Sequence, residues 1–130
     1  MIELRVLIAD DDPAVRLLLE AMLEQVAVEG HNVTCEMYAN GKQAYAAWHE
    51  RPNAYALVIS DGVMPGMLGV EFVKKIKEER PDQKIIFCSG TEGVQGKADA
   101  SFQKPIKTDE FIKTAQKLLL DYTTILSDKP

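Results

Sequence analysis

Short apolar segments alternate with amphipathic helical patterns along this chain, and this alternation constrains its fold more than any other feature. Segments typical of buried strands cover residues 4–9, 33–38, 54–60, 84–88 and 100–103. Helical patterns follow the first, second, third and fifth of these segments. Because strands that are joined through helices pair in parallel, the alternation predicts an α/β fold with helices on both faces of one sheet.

The size and charge of the chain narrow its possible functions. Its 130 residues fit one domain with a core of its own. The formal net charge of −5 argues against nucleic-acid binding, which needs a basic face. The apolar start is too short for a signal peptide, and no segment reaches the length of a membrane span. We therefore expect a cytoplasmic protein without direct nucleic-acid or membrane contacts, in which Cys35 and Cys88 are reduced.

Charged and hydroxyl side chains stand at the ends of four predicted strands. They are Asp10, Asp11 and Asp12 after the first strand, Asp61 after the third, Ser89 after the fourth and Lys104 after the fifth. In open parallel sheets, ligands bind at the carboxyl ends of the strands. We therefore expect these side chains to lie close together.

The chemistry of this set points to phosphoryl transfer. Several carboxylates at one rim repel each other unless a cation intervenes, and oxygen ligands select Mg²⁺ or Mn²⁺. A metal, a lysine and a hydroxyl can together hold the oxygens of a phosphoryl group. A carboxylate can itself be the nucleophile and form an acyl phosphate. Asp12, which precedes Pro13, has the pattern of a helix N-cap instead.

Four segments of the chain resemble the response-regulator receiver domain of two-component signalling. They are VLIADDDP, YALVISDGVMPGMLGVEFV, IIFCSG and FQKPI, in that order. The resemblance covers about residues 3–122 and implies a flavodoxin-like, doubly wound sheet of five parallel strands in the order 2-1-3-4-5. It assigns residues 1–122 to the receiver domain, and we expect residues 123–130 to form a polar, frayed tail.

The resemblance also implies the metal and phosphoacceptor residues. Asp61 matches the aspartate that is phosphorylated. Asp11 matches the direct carboxylate ligand of Mg²⁺, and Asp10 the carboxylate that reaches the ion through water. Val63 matches the position that lends its backbone carbonyl to the metal. Mn²⁺ is expected to substitute for Mg²⁺.

The phosphate-binding residues and the donor follow from the same resemblance. Ser89 matches the hydroxyl that moves to the phosphoryl group, and Lys104 matches the phosphate-binding lysine. The Lys104–Pro105 bond is expected to be cis. The implied donor is a histidine kinase or a histidine phosphotransfer protein, and a downstream protein partner would receive the signal. Such a domain is not an enzyme in the ordinary sense, since it catalyses only its own phosphorylation and dephosphorylation.

The first helix presents a second candidate surface. We expect its core-facing residues to be Val15, Leu18, Leu19 and Met22. Ala14, Leu17 and Ala21 then lie on a different face. An exposed leucine needs no special role, and the alternative is that this face docks a phosphotransfer helix beside the acidic pocket.

The chain departs from the family pattern at several positions. Gly62 replaces the usual apolar residue after the phosphoacceptor, and Leu68 stands where an aspartate is common. Ser101 occupies the position of the switch aromatic. Phe102, one residue later, should point to the opposite face and into the core.

The connection between the fourth and fifth strands is also short. Too few residues separate Ser89 from Lys104 for an average helix, and Gly90, Gly93 and Gly96 disfavour one. We expect the helix there to be one or two turns at most, or absent. We therefore expect a monomer in which this segment changes between order and disorder.

Three alternatives remain at this point. The first is a degenerate receiver that only binds partners. A haloacid-dehalogenase-type phosphatase would use Asp10 and Asp12 as its acid pair, which leaves Asp61 without a role. A flavodoxin-like FMN binder would need a phosphate loop where this chain has three acids, and those would repel the phosphate.

Overall fold

Five strands and four helices are present in the computed structural model, which describes residues 1–90 and 97–127. The strands are β1 (Ile2–Ala9), β2 (His31–Tyr38), β3 (Tyr55–Asp61), β4 (Ile85–Ser89) and β5 (Ala100–Gln103). The helices are α1 (Pro13–Glu24), α2 (Gly41–Glu50), α3 (Gly69–Glu79) and α4 (Thr108–Ser127). All neighbouring strands pair in parallel, in the order β2-β1-β3-β4-β5. The predicted flavodoxin-like fold is confirmed.

The sheet separates two hydrophobic clusters. Helices α1 and α4 cover one face, where Leu19, Met22 and Phe111 pack on Val6 and Ile8. Helices α2 and α3 cover the other face, where the largest buried side chains are Trp48, Tyr55 and Phe72. Every residue of the central strand β3 is buried, as the nearly continuous apolar run predicts. Within the described ranges, no helix combines the length and the apolar character needed to cross a bilayer.

The helix starts differ in how they are capped. The Asp12 side chain accepts a hydrogen bond from the Ala14 N–H at 2.9 Å, as expected for the N-cap of α1. The Asn40 side chain caps α2 in the same way through the N–H groups of residues 42 and 43. The N-cap of α3 is Leu68, whose side chain makes no capping hydrogen bond.

The prediction for Leu18 is wrong. Leu18 is 44% exposed, whereas Leu23, which the pattern did not single out, is 1% exposed. The buried face of α1 is centred on Leu19, Met22 and Leu23, the i, i+3 and i+4 positions, and Leu18 lies one residue outside it. Val15 is half-buried against the core, as expected.

Helix α4 extends further than expected. It continues to Ser127, into the segment predicted to be a frayed tail, while residues 128–130 lie outside the described part of the chain. Tyr122 packs against the core, which holds the helix to the sheet beyond its middle. The hydroxyls of Thr123 and Thr124 donate to the Leu120 carbonyl, so these polar residues are compatible with continued helix.

The connection between β4 and β5 contains residues 91–96, which the structure does not describe. The expectation of a short or absent helix there lies outside the described residues and stays a prediction. On β5, Ser101 is exposed and Phe102 packs on Phe111 with a ring separation of 5.7 Å. The predicted inward orientation of Phe102 is confirmed.

Candidate functional site

The carboxyl ends of β1, β3 and β5 bring two acids and a lysine into contact. Lys104, which follows β5, donates from Nζ to Asp10 Oδ2 at 2.9 Å and to Asp61 Oδ1 at 3.0 Å. Asp10 is 1% exposed and Asp61 is 7% exposed. A buried carboxylate is costly unless it is paired, and here two of them share one ammonium group.

A third carboxylate completes the cluster. One carboxylate oxygen from each of Asp10, Asp11 and Asp61 lies within 4.8 Å of the others, and Asp11 is exposed to solvent. Oxygen donors at this spacing are the ligands that Mg²⁺ and Mn²⁺ prefer. The residues therefore fit a hard divalent cation that is open to solvent on the side of Asp11.

The loop after β1 fixes Asp10 firmly. Its Oδ1 accepts the Asp12 N–H at 2.9 Å, while its Oδ2 accepts from Lys104. Arg16, which the sequence reasoning missed, donates from Nη1 to the Asp10 carbonyl at 2.7 Å. Both oxygens of Asp10 are thus engaged in hydrogen bonds, whereas Asp11 is exposed to solvent.

Burial dominates the electrostatics of Asp61. It raises the pKa of this carboxyl above its usual value, the hydrogen bond from Lys104 opposes the rise, and the charge of Asp10 adds to it. The Gly62 N–H also donates to Asp61 Oδ1, at 2.7 Å. For Lys104, burial acts to lower the pKa, but the hydrogen bonds to Asp10 and Asp61 outweigh it and the pKa is raised. The lysine is therefore charged at neutral pH.

Ser89 and Lys104 are connected through the backbone. The Lys104 N–H donates to the Ser89 carbonyl at 2.8 Å, and Ser89 is buried at the end of β4. The Lys104–Pro105 peptide bond is cis, as predicted. The structure thus places the predicted hydroxyl and the predicted lysine on neighbouring strands at the same edge of the sheet.

The loop between β3 and α3 carries Val63, and a backbone hydrogen bond joins the two ends of this loop. Val63 is exposed on this loop. The Gly69 N–H donates to the Gly62 carbonyl at 3.0 Å, and a β-carbon at Gly69 would overlap the carbonyl oxygen of Asp61. Glycine is therefore required at position 69.

Helix α1 exposes the face that the sequence singled out. Ala14, Leu17 and Ala21 are exposed, with Leu17 at 63%, and Leu18 adds further apolar surface beside them. Asp12 serves as the helix cap. The phosphatase alternative needs Asp12 in the acidic site, so the structure does not favour it.

A doubly wound parallel sheet with buried acids and a lysine at its carboxyl edge defines a flavodoxin-like fold with an acidic site that fits a divalent cation. The family model described as the response regulator receiver domain matches residues 6–116. The chain belongs to this family, whose members are signalling domains. The family resemblance drawn from the sequence is confirmed, which removes the phosphatase and FMN-binding alternatives.

Related proteins support the assignment. The response regulator receiver protein CpdR of Brucella abortus (strain 2308) is 32% identical over 123 residues, which cover 89% of this chain and 97% of CpdR. The transcriptional regulatory protein SrrA of Staphylococcus aureus (strain NCTC 8325 / PS 47) is 29% identical, and the match covers 96% of this chain but 52% of SrrA. The chain thus spans about half the length of SrrA.

A solved relative gives the same fold. The response regulator TrrA of Thermotoga maritima, crystallised in complex with Mg²⁺ and BeF, aligns with a TM-score of 0.74 at 30% identity. The alignment covers 88% of this chain and 98% of TrrA. A signal receiver domain from Pseudomonas fluorescens Pf-5 aligns with a TM-score of 0.79 at 18% identity, which supports the fold alone.

Proposed function

We propose that this chain accepts a phosphoryl group on Asp61, with Mg²⁺ bound beside it, and acts as a switch in a two-component or phosphorelay system. The observation that carries the proposal is the cluster of three carboxylates, those of Asp10, Asp11 and Asp61, in which Asp10 and Asp61 share Lys104. Such a cluster holds more negative charge than the lysine can balance. A divalent cation would balance it and allow a phosphoryl anion to approach.

The proposed reaction transfers the phosphoryl group from a phosphohistidine. Asp61 Oδ1 holds the hydrogen bonds from Gly62 and Lys104, so we assign the attack to Oδ2. A bond forms between this oxygen and phosphorus while the bond from phosphorus to the imidazole nitrogen breaks, and the nitrogen keeps the electron pair. The product is an acyl phosphate on Asp61.

The other site residues would hold the transferred group. Lys104 now bridges Asp10 and Asp61, and once a cation balances those acids its ammonium can pair with a phosphoryl oxygen. The Ser89 hydroxyl would donate to another oxygen. Asp11, Asp61 and the Val63 carbonyl would hold Mg²⁺ directly, and Asp10 through water. The ion supplies charge neutralisation at the phosphoryl oxygens.

Binding of a phosphoryl mimic tests the proposal. Fluorine NMR should detect bound beryllofluoride on the wild-type protein only when Mg²⁺ or Mn²⁺ is present. Asp61→Asn should abolish the bound signal, whereas Asp121→Asn, an acid on α4, should leave it unchanged. Equal binding to the Asp61→Asn protein, or none to the wild type, would overturn the proposal and favour a degenerate receiver.

The donor is proposed to be a histidine kinase or a histidine phosphotransfer protein that docks on α1. The support is the exposed apolar face of Ala14, Leu17 and Ala21 on the helix that begins directly after the acidic loop. Leu17→Glu should slow transfer from the cognate protein at least tenfold while acetyl phosphate still labels Asp61, since only docking buries this face. Leu120→Glu on α4 is the matched control, and equal slowing by both variants would contradict the docking site.

The proposed working form is a cytoplasmic monomer.

A further inference from the structure

Gly62, the residue after the phosphoacceptor, faces Ser89 across the end of the sheet. An ideal β-carbon built on Gly62 would lie 2.9 Å from Ser89 Oγ, 3.2 Å from Ser89 Cβ and 3.4 Å from Phe87 Cζ. A separation of 2.9 Å is closer than two such atoms normally approach. The space that a side chain would fill at Gly62 is therefore occupied by the Ser89 hydroxyl.

Strand alternation places this hydroxyl away from the acceptor carboxylate. Side chains of Ile85 and Phe87 lie in the cluster beneath α2 and α3, and Ser89 follows them at the same two-residue spacing on β4. On β3, the corresponding spacing places Asp61 on the side of Leu57 and Ile59, which belong to the opposite cluster. We therefore expect the Ser89 hydroxyl to move from its place beside Gly62 when it binds a group on Asp61.

We propose that Gly62 is a positioning residue. Because it has no side chain, the Ser89 hydroxyl can lie beside it in the unphosphorylated protein, and this placement stabilises the unphosphorylated state. The inference rests on the proposed function, because it needs Ser89 to bind the phosphoryl group. Gly62 replaces the apolar residue that is usual in the family, and the missing side chain leaves space for the Ser89 hydroxyl. A β-carbon at this position disfavours one rotamer of Ser89 and leaves those that point elsewhere.

The substitution Gly62→Ala tests this directly. Gly62 lacks a positive φ angle, so alanine fits the backbone. Destabilising the resting position raises the fraction of molecules whose hydroxyl is placed for binding, and the affinity for beryllofluoride with Mg²⁺ should rise about fivefold. Gly90→Ala is the matched control, since none of the described residues lies within 4 Å of the β-carbon built there, and it should leave the affinity unchanged.

A double substitution separates the hydroxyl from general crowding. In the Ser89→Ala background, which lacks the closest atom, Gly62→Ala should no longer raise the affinity. If Gly62→Ala alone fails to fold, the double variant should fold, because the closest contact is gone. An equal gain in both backgrounds, no gain in either, or a double variant that also fails to fold would each overturn the inference.

A measurement without metal gives an independent readout. Amide NMR of the free Gly62→Ala protein should show the Ser89 and Lys104 resonances displaced partway toward their positions in the beryllofluoride-bound wild type. Resonances that stay at their free positions would contradict the inference. Failure of the wild type to bind beryllofluoride would instead contradict the proposed function, so the two failures are distinguishable.

Discussion

The two ends of the sheet differ in how their buried polar side chains are paired. At the amino-terminal end, both polar groups of the buried Gln83 side chain form hydrogen bonds, whereas at the carboxyl end Asp10 and Asp61 both accept from the same lysine, Lys104. Gln83 Oε1 accepts the Trp48 indole N–H at 2.9 Å, and its amide donates to the Tyr55 and Lys84 carbonyls. Complete pairing of this kind makes a buried polar group compatible with a stable core.

The charged side chains at the two ends of the sheet also differ in how they are paired. Near the amino-terminal end, Lys77 pairs with Asp99 at 2.9 Å and also donates to the carbonyls of Pro81 and Gln83, and Asp99 accepts the Ile85 N–H as well. At the carboxyl end, Asp10, Asp11 and Asp61 lie close together, and Lys104 pairs with Asp10 and Asp61. The pairs at the amino-terminal end connect neighbouring elements, while the carboxyl end carries the excess negative charge on which the proposed cation binding depends.

Removing the Gln83 hydrogen bonds at the amino-terminal end should have the largest effect on stability. Gln83→Ala leaves the Trp48 N–H and the Tyr55 carbonyl buried without their partner and opens a cavity. We expect the free energy of unfolding to fall by about 2–4 kcal/mol. Urea denaturation measures this change, and beryllofluoride affinity should stay within twofold of wild type. A loss below about 0.5 kcal/mol would remove the distinction between the two ends.

Removing one negative charge at the carboxyl end should instead increase the stability of the folded protein. Asparagine in place of Asp61 keeps an oxygen for Gly62 and Lys104 but removes one charge from the cluster. Without metal, we expect Asp61→Asn to be more stable than wild type by about 1 kcal/mol at neutral pH. Thermal denaturation in the presence of a chelator measures the difference, and Asp121→Asn should show no comparable gain. An Asp61→Asn protein less stable than wild type would contradict the account.

The gain from Asp61→Asn should depend on pH. Because the pKa of Asp61 is raised in the folded protein, its stabilising contribution is present below the ordinary value of 3.8 and is lost as the pH rises through the raised pKa. The difference between the two proteins should therefore be small at acidic pH and grow toward neutrality. A difference that shrinks over this range would show that the sign is wrong.

The smallest expected effect concerns the start of α3, which also lies at the carboxyl end. Leu68 stands at the N-cap of this helix without a capping hydrogen bond and is 57% exposed. Leu68→Asn should stabilise the protein by about 0.5–1 kcal/mol, because asparagine can accept from a free N–H of the first turn. Leu68→Ala removes the same side chain without capping, so it should give no such gain in chemical denaturation. Equal effects of the two variants would exclude capping as the cause.

The order of elements could be predicted from the sequence because it depends on local patterns. The acid run after β1 and the caps at Asp12 and Asn40 depend on a few adjacent residues. The exposure of Leu18 could not be predicted, since several leucines in succession on α1 allow more than one buried face. Tertiary packing decides between those faces, and the alternation of residues alone does not.

The site could be predicted in its membership but not in its contacts. Strand ends point to Asp61 and Lys104, whereas the hydrogen bonds that share Lys104 between two acids depend on strand order and register. The approach of Ser89 to Gly62 joins residues on different strands, and no local pattern records it. The sequence marks Gly62 only as a departure from the family pattern, and its closeness to Ser89 is visible only in the structure.

The proposed function requires that Asp61 carries the phosphoryl group. Borohydride reduces an acyl phosphate on aspartate to the alcohol, so the modified residue becomes homoserine and can be located by peptide mass spectrometry. After treatment with acetyl phosphate and Mg²⁺, we predict homoserine at position 61 and at none of positions 10, 11 and 12. Homoserine at one of those three positions, or none anywhere in the wild-type protein, would contradict the account.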